Sequence, residues 1–414
     1  MIPLGEAQGF VLSHCGPLRP QWCPLDAALD CISARTVRAT EPVPPFLNSS
    51  MDGYAVRAED TWSAPVTLSV VGVIMAGSVL DGAVGSRQAA RIMTGAPLPA
   101  GADAVCMVED TVGSPDGGHV TIGRRVEPGQ FVRQPGHDVA AGDVLVPVGT
   151  RLGPAHVGIL AGQGFEDVLV HPRPKVGVLS TGDELYTDPG PLPPGRIRDA
   201  NRHTLLALAR REGWDVCDLG VVGDDEDALR RVLTTGAAST CHAIVTSGGV
   251  SVGDLDLVRV VLEKLSEGSM RSMLVAIKPA KPFAFGVLAS SGAKVFGLPG
   301  NPVSAMVSFE LFVRPALRKM GGHTDLHRPV VTARAQRALC RQPDGKLHLL
   351  RGRVFPDGAG AWSVVTADAQ ESHQLRAMAD ANALVMLPSG EGVGAGDPVQ
   401  ALVIDTDQSW TSRP

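Results

Sequence analysis

The chain of 414 residues is long enough for two or three globular units. Apolar residues make up 44% and charged residues 19%, a composition that builds a sizeable core and excludes general disorder. Lys and Arg number 37 against 43 Asp and Glu, and the net charge of −6 argues against nucleic acid as the main partner. The seven cysteines are odd in number and contain no CxxC pair, so neither a disulfide framework nor a structural zinc site is expected. The opening MIPLGEAQGF lacks a basic stretch leading into an apolar run, and the longest apolar stretch, residues 66–80, carries Thr, Ser and Gly and reads as sheet. A soluble cytoplasmic protein without a membrane partner is the expectation. The 48 Gly and 32 Pro with only 4% aromatics point to turns and short strands.

In chain order, residues 21–43 carry Leu25, Ala28, Leu29, Ile32 and Val37 at helical spacing and predict a helix ending at Pro42-Val43-Pro44-Pro45. Residues 54–146 break into short alternating runs punctuated by Gly and Pro, the pattern of a β-rich domain. Ala155, Ile159 and Leu160 predict a helix over 150–164, which with the first helix forms a linking helical unit around the β insertion. From Pro174, apolar runs without alternation (176–179, 216–222, 243–245) intersperse with helical patterns and predict a central βαβ domain on a parallel sheet. One helix spans about 202–212 and stops at Gly213; another starts at Asn301-Pro302 and ends at Gly321-Gly322. From Pro329 alternation returns in VVTARAQ, LHLLRGRVF, WSVVTA, ALVMLP and PVQALVI, a C-terminal β-barrel-like domain. The fold class is therefore multidomain α/β plus all-β. Its expected boundaries are 1–46 with 138–173 (linking), 47–137 (β-rich), 174–325 (α/β) and 326–414 (C-terminal β).

Chemistry concentrates in loops at the carboxyl ends of the α/β strands, where ligands bind in open α/β folds. The loops are Ser180-Thr181-Gly182-Asp183-Glu184, residues 246–256 (TSGGVSVGDLD, with Gly248, Gly249, Ser251, Asp254 and Asp256) and residues 297–304 (GLPGNPVS, with Gly300, Asn301 and Ser304). Glycines let backbone N–H groups approach an anion, and a helix start offers further donors. Tight turns and ordinary capping explain any one loop; three together suggest an oxyanion or phosphate site. None is a Walker A or GxGxxG loop. Lys278 and Lys281 each precede a proline (Pro279, Pro282) inside an apolar stretch, a rigid setting for two compact cations. Asp183, Glu184, Asp224, Asp225, Asp254 and Asp256 recur beside these loops, and Mg2+ takes one or two carboxylates plus substrate oxygens. The run Asp224-Asp225-Glu226-Asp227 is equally explained as a complement to the following helix dipole. In the β-rich region Asp52 and Thr94 lie in dense turns, ordinary as bare chemistry. Cys106 and Cys241 read as core residues, and the histidines show no paired metal spacing.

The strings SSMDGYAV, RIMTGAPLPAGADAV, STGDEL, RIRDANR, VTSGGVSVGDLD, AIKPAKPFAFG and GLPGNPVSAMVSFE, with weaker LLRGR and ESHQLRAMADANALVMLP, resemble the molybdopterin molybdenumtransferase (molybdenum insertase) family, which includes the E domain of gephyrin. The resemblance covers nearly the whole chain and makes 174–325 the molybdopterin-binding domain. It implies Mg2+-dependent insertion of molybdate into adenylylated molybdopterin with release of AMP, by an elongated homodimer whose cleft forms where the subunits meet. Transient contact with an adenylyltransferase or with molybdoenzymes is implied too. Carried over by position, Ser251, Lys278, Lys281, Ser304, Arg351 and Ser372 would hold molybdate or substrate phosphate. Asp52, Thr94, Asp183, Glu184, Asp224 and Asp256 would line the cleft, with Asp224, Asp254, Asp256 and Glu184 as metal candidates. The chain departs from the family at Asp199-Ala200-Asn201, which lacks a usual hydroxyl, and at Arg133-Gln134-Pro135-Gly136-His137-Asp138, which lacks a usual Glu. The alternatives are the adenylylating step itself, because the α/β domain also resembles stand-alone molybdopterin adenylyltransferases, and a non-catalytic gephyrin-like scaffold.

Overall fold

In the computed structural model the first helix is Leu4–Ser13, ahead of the stretch whose apolar spacing predicted one. Gly5 and Gly9 lower its helix propensity and hide it, while Ala7 and Val11, one turn apart, face the core. Residues 21–43 are instead strand Gln21–Pro24, a 3-10 turn Leu25–Ala27 and the short strands Ile32–Ser33 and Val37–Arg38. Pairing decides the matter: Gln21–Pro24 and Ile32–Ser33 flank strand Asp167–His171 in an antiparallel sheet, a long-range contact that local spacing does not reveal.

The structure describes residues 1–248, 257–357 and 360–405. They fall into two units, one of Met1–Ala34, Gly149–Gly153 and Asp167–Pro414, the other of Arg35–Val148 and Pro154–Glu166. The second unit is built on a six-stranded sheet in the order 104–107, 53–56, 88–92, 66–74, 119–122, 111–113. Neighbouring residues serve opposite faces: Val56, Ala89 and Cys106 join one core cluster, Ala55, Ala90 and Val105 another. Helix Pro154–Gly162 lies where apolar spacing placed it.

The first unit carries the α/β sheet, ordered 215–222, 175–181, 243–247, 294–298, 282–287, 271–274. The first four strands are parallel. Ala243, Val245 and Phe296 pack on one face and Ile244, Leu179 and Val295 on the other, which is why these strands are apolar without alternation. The last two strands are antiparallel, an edge that an apolar run such as Pro282–Val287 does not announce. Helix Asn201–Arg211 ends before Gly213, whose φ of +76° suits glycine. Helix Pro302–Ser308 continues through a π-helical turn, Phe309–Val313, into Arg314–Met320.

All five alternating runs of the C-terminal region are strands. Five strands, 347–356, 362–366, 330–335, 398–403 and 383–387, pair in that order, and the last returns to the first, closing a β-barrel. Ile277–Lys278 adds to its strand Leu347–Pro356. Leu349, Leu384 and Leu402 of the barrel share a core cluster with Val178, Phe296 and Leu298 of the α/β sheet. Among the described residues no helix is long and apolar enough to cross a membrane.

A buried ion network ties the helix ends together: Glu212 accepts from Arg314 at 2.8 Å and Arg328 at 2.7 Å, and Glu310 accepts from Arg328 at 2.8 Å. Burial, then Arg318 and Arg151, push the nearby His323 imidazole down from 6.5 to about 4. The unfolded chain therefore binds a proton between those values that the folded chain refuses, and stability falls as pH drops through that window. We expect His323→Asn to lessen the loss of denaturation free energy between pH 7 and pH 5 by about 1 kcal/mol; identical pH profiles for the two proteins would refute this.

Candidate functional site

The carboxyl ends of strands Lys175–Thr181, Ala243–Ser247 and Lys294–Leu298 share one edge of the sheet, as their parallel register requires. A cavity of about 290 Å3 opens there, lined by Ser180, Thr181, Glu184, Ser247, Gly248 and Gly300 among others. One side-chain amide joins two of the loops: Asn201 Nδ2 donates to Ser247 Oγ and to the Gly300 carbonyl, each at 2.7 Å. Asn201 Oδ1 is buried and has no hydrogen-bond partner among the described residues, an acceptor for which an incoming donor would compensate. Asp199 anchors this loop by accepting from Ser180 Oγ at 3.0 Å and from Arg202 Nε at 3.0 Å, while Arg202 also pairs with Asp218.

The third loop is held from the barrel side. Asn301 Nδ2 donates to Ser372 Oγ at 3.0 Å, and the Val303 N–H donates to the Ser372 carbonyl at 3.1 Å. Ser304, one residue further along the helix, is buried. Arg351 was expected to touch the anion, yet it is 1% exposed and its guanidinium donates to the carbonyls of Ala369 at 3.2 Å and Glu371 at 3.1 Å. Its buried Nε has no hydrogen-bond partner among the described residues.

Among the acids, Asp183 Oδ1 accepts the Asp224 N–H at 3.0 Å, so these two carboxylate-bearing loops adjoin, and Glu184 lies on the cavity wall. Asp225 caps the next helix by accepting from the Ala228 N–H at 2.7 Å, the structural role that the acidic run allowed. Among the described residues no three His, Cys, Asp or Glu side chains cluster as a metal cage. Lys278 and Lys281 are exposed and lie outside the cavity wall. The antiparallel register that pairs Ala284 with Gly297 nevertheless brings Pro282, and Lys281 before it, to the sheet edge that carries Gly300. In the second unit, Asp52 Oδ1 accepts from both the backbone N–H and the hydroxyl of Thr94, each at 2.7 Å; these bonds, with a smaller effect from Arg91, hold its pKa below the usual carboxylate value. Gly249, Ser251, Asp254 and Asp256 lie outside the described residues.

Sequence reasoning placed Ser180 and Ser247 in the expected oxyanion loops without giving either side chain a role, and gave none to Asp199, Asn201 or His373, although all five line the cavity. Two signals were present: the two serines end apolar runs, and Asp199 and Asn201 belong to RIRDANR.

The geometry defines a class first: an α/β protein with a polar cleft at the carboxyl edge of its sheet, braced by a closed barrel. The MoeA N-terminal region (domain I and II) matches residues 2–164, a probable molybdopterin binding domain matches 177–319, and the MoeA C-terminal region (domain IV) matches 332–404. A molybdopterin molybdenumtransferase of Haemophilus influenzae is 37% identical over 401 residues, covering 96% of this chain and 98% of the relative. Molybdopterin molybdenumtransferase 2 of Mycobacterium tuberculosis is 38% identical over 409 residues, covering 97% and 99%. A crystal structure of a molybdopterin biosynthesis MoeA protein from Pyrococcus horikoshii superposes with a TM-score of 0.79 at 32% identity, covering 98% of this chain and all of that one. The chain belongs to the molybdopterin molybdenumtransferase family and is a transferase.

Proposed function

We propose that this transferase inserts molybdenum from molybdate into adenylylated molybdopterin, with release of AMP, at the carboxyl edge of the α/β sheet. The observation that carries the reading is the Asn201 amide, which binds the Ser247 and Gly300 loops into one polar cavity with Glu184 on its wall. Breaking an adenylate anhydride requires neutralisation of phosphate charge and an oxygen nucleophile in line. Lys278 and Lys281 would supply the first, and an oxygen of bound molybdate or a positioned water the second. Ser372 and Asn301 fix the start of the helix beside which the anion would sit, and Arg351 donates to the carbonyl of Glu371, the residue before Ser372. Magnesium would suit the adjoining loops that carry the carboxylates of Asp183 and Asp224, with Glu184 next in sequence to Asp183, since that ion takes one or two protein carboxylates and leaves its other positions to phosphate and water. When bound it would neutralise charge on the phosphates.

The reading is tested by incubating the purified chain with adenylylated molybdopterin, molybdate and Mg2+. AMP release that depends on molybdate supports insertion; ATP-dependent adenylylation of molybdopterin without it would replace this reading by the adenylyltransferase one. Glu184→Ala and Asp52→Ala are each expected to lower turnover more than dithiolene affinity. A loss of affinity with turnover intact would make these acids substrate holders. The working unit on this reading is a homodimer, and light scattering at the mass of one chain would contradict that.

A further inference from the structure

A second cavity, of about 490 Å3, opens in the same unit where helix Asn201–Arg211 ends, away from the loops just described. Six arginines stand on its walls: Arg151, Arg210, Arg211, Arg314, Arg318 and Arg328. Four carboxylates answer them. Glu212 and Glu310 take Arg314 and Arg328, Asp30 takes Arg151 at 2.7 Å, and Asp405 lies 3.5 Å from Arg211. Two guanidinium groups are thus left without a close ion pair of their own among these described groups, Asp325 acting on Arg318 only from a greater distance. They are not hard to locate. Arg210 is exposed and joins no ion pair among the described residues. Arg318 donates its Nε to the Asp325 carbonyl at 2.8 Å, and its closest carboxylate oxygen, on Glu212, is 3.7 Å away, beyond a hydrogen bond.

A purely structural ion-pair lattice needs neither a surplus of one sign nor an open volume at its centre. This one keeps a surplus of guanidinium groups around an open volume. The titration behaviour agrees with that asymmetry: burial and then Arg314 lower the Arg318 pKa, and His323, also on the wall, is kept neutral by burial and by Arg318 and Arg151. A positive potential that disfavours its own cations favours an anion. The planar fork of a guanidinium presents paired donors to a tetrahedral oxyanion, and several converging forks suit a phosphate better than a single carboxylate.

We propose that this arginine-lined cavity is a second binding site, taking an oxyanion of the phosphate class, either free or carried on a small molecule as a phosphomonoester. Arg210 and Arg318 are its primary ligands, and Glu212 and Glu310 hold the remaining arginines in place around it.

The test uses the full chain carrying Lys278→Ala and Lys281→Ala, which removes the two lysines at the other site. Inorganic phosphate is titrated in at low salt by calorimetry, with AMP in a parallel arm. One saturable event per chain is expected, weakened about tenfold or more by Arg210→Glu and by Arg318→Gln. Comparable affinity for the two probes identifies the free ion as the ligand, and tighter AMP binding identifies the phosphomonoester. Absence of saturable binding by either probe, or binding that Arg210→Glu leaves unchanged, overturns the proposal. Arg210 is exposed, so its substitution keeps the test valid even where Arg318→Gln fails to fold.

Discussion

Lys281→Ala is expected to slow molybdenum insertion by roughly 10²- to 10³-fold, the usual cost of removing one positioned electrostatic group from a reacting centre. The same change should leave stability within about 0.5 kcal/mol, because the side chain is exposed and joins no ion pair among the described residues. What is fixed is the backbone that presents it. The Lys281 carbonyl accepts the Val275 N–H at 2.8 Å, Ala280 before it sits at φ +71°, and Pro282 after it begins a sheet strand. The chain therefore holds a cation at the sheet edge without an ion pair among the described residues, which is what an anion-binding role for Lys281 would require. Single-turnover AMP release alongside a denaturant melt separates the two effects. A near-native rate in Lys281→Ala would remove the lysine from the chemistry, and a lower melting point with a normal rate would make it structural.

Gly248→Ala should damage both the fold and the site. At φ +95° an L side chain is strained, and a Cβ there would stand 2.6 Å from the Thr181 carbonyl oxygen and 3.0 Å from its hydroxyl. Neither obstacle is the free end of a flexible chain: the oxygen belongs to a sheet strand, and the Gly248 N–H itself donates to the Leu298 carbonyl at 3.1 Å. Left-handed strain and overpacking together should cost about 2–4 kcal/mol, and the loop that carries Ser247 would be displaced from Asn201. Gly300→Ala provides the contrast, since among the described residues a Cβ at that position meets only the Gly248 Cα, at 3.9 Å, and no positive φ is involved. The expected result is a marked drop in melting temperature and loss of turnover for Gly248→Ala, with a melting temperature close to native for Gly300→Ala. Equal stability of the two variants would refute the close approach of these loops.

What the sequence revealed, and what it did not, follows from how local each signal is. The glycine loops and the lysine pair declare themselves by composition within a few residues, and the barrel strands by alternation over five or more. The buried parallel strands could be read because a surface covered on both faces has no polar alternation to show. The same logic hid the antiparallel edge: Phe283 to Phe285 is apolar whichever way the strand runs. Residues 21–43 misled because Leu25, Ala28 and Ile32 keep helical spacing by accident, while the strand partners of Gln21–Pro24 and Ile32–Ser33 lie more than a hundred residues away at Asp167–His171. Asn201 was overlooked for a related reason, since its importance lies in bridging Ser247 and Gly300, loops that only the folded sheet brings together. Arg351 shows the converse. A positive charge in a matching motif suggested a direct anion contact, while in the structure the side chain is buried and donates to the carbonyls of Ala369 and Glu371, which the motif does not announce.

The decisive measurement is the anomalous difference density of crystals of this chain grown with molybdate. A peak at the carboxyl edge of the α/β sheet, between Lys281 and the start of helix Pro302–Ser308, is the outcome we predict. Density confined to the arginine-lined cavity, or absent from that edge at saturating molybdate, would contradict the claim that these loops gather to hold the oxyanion.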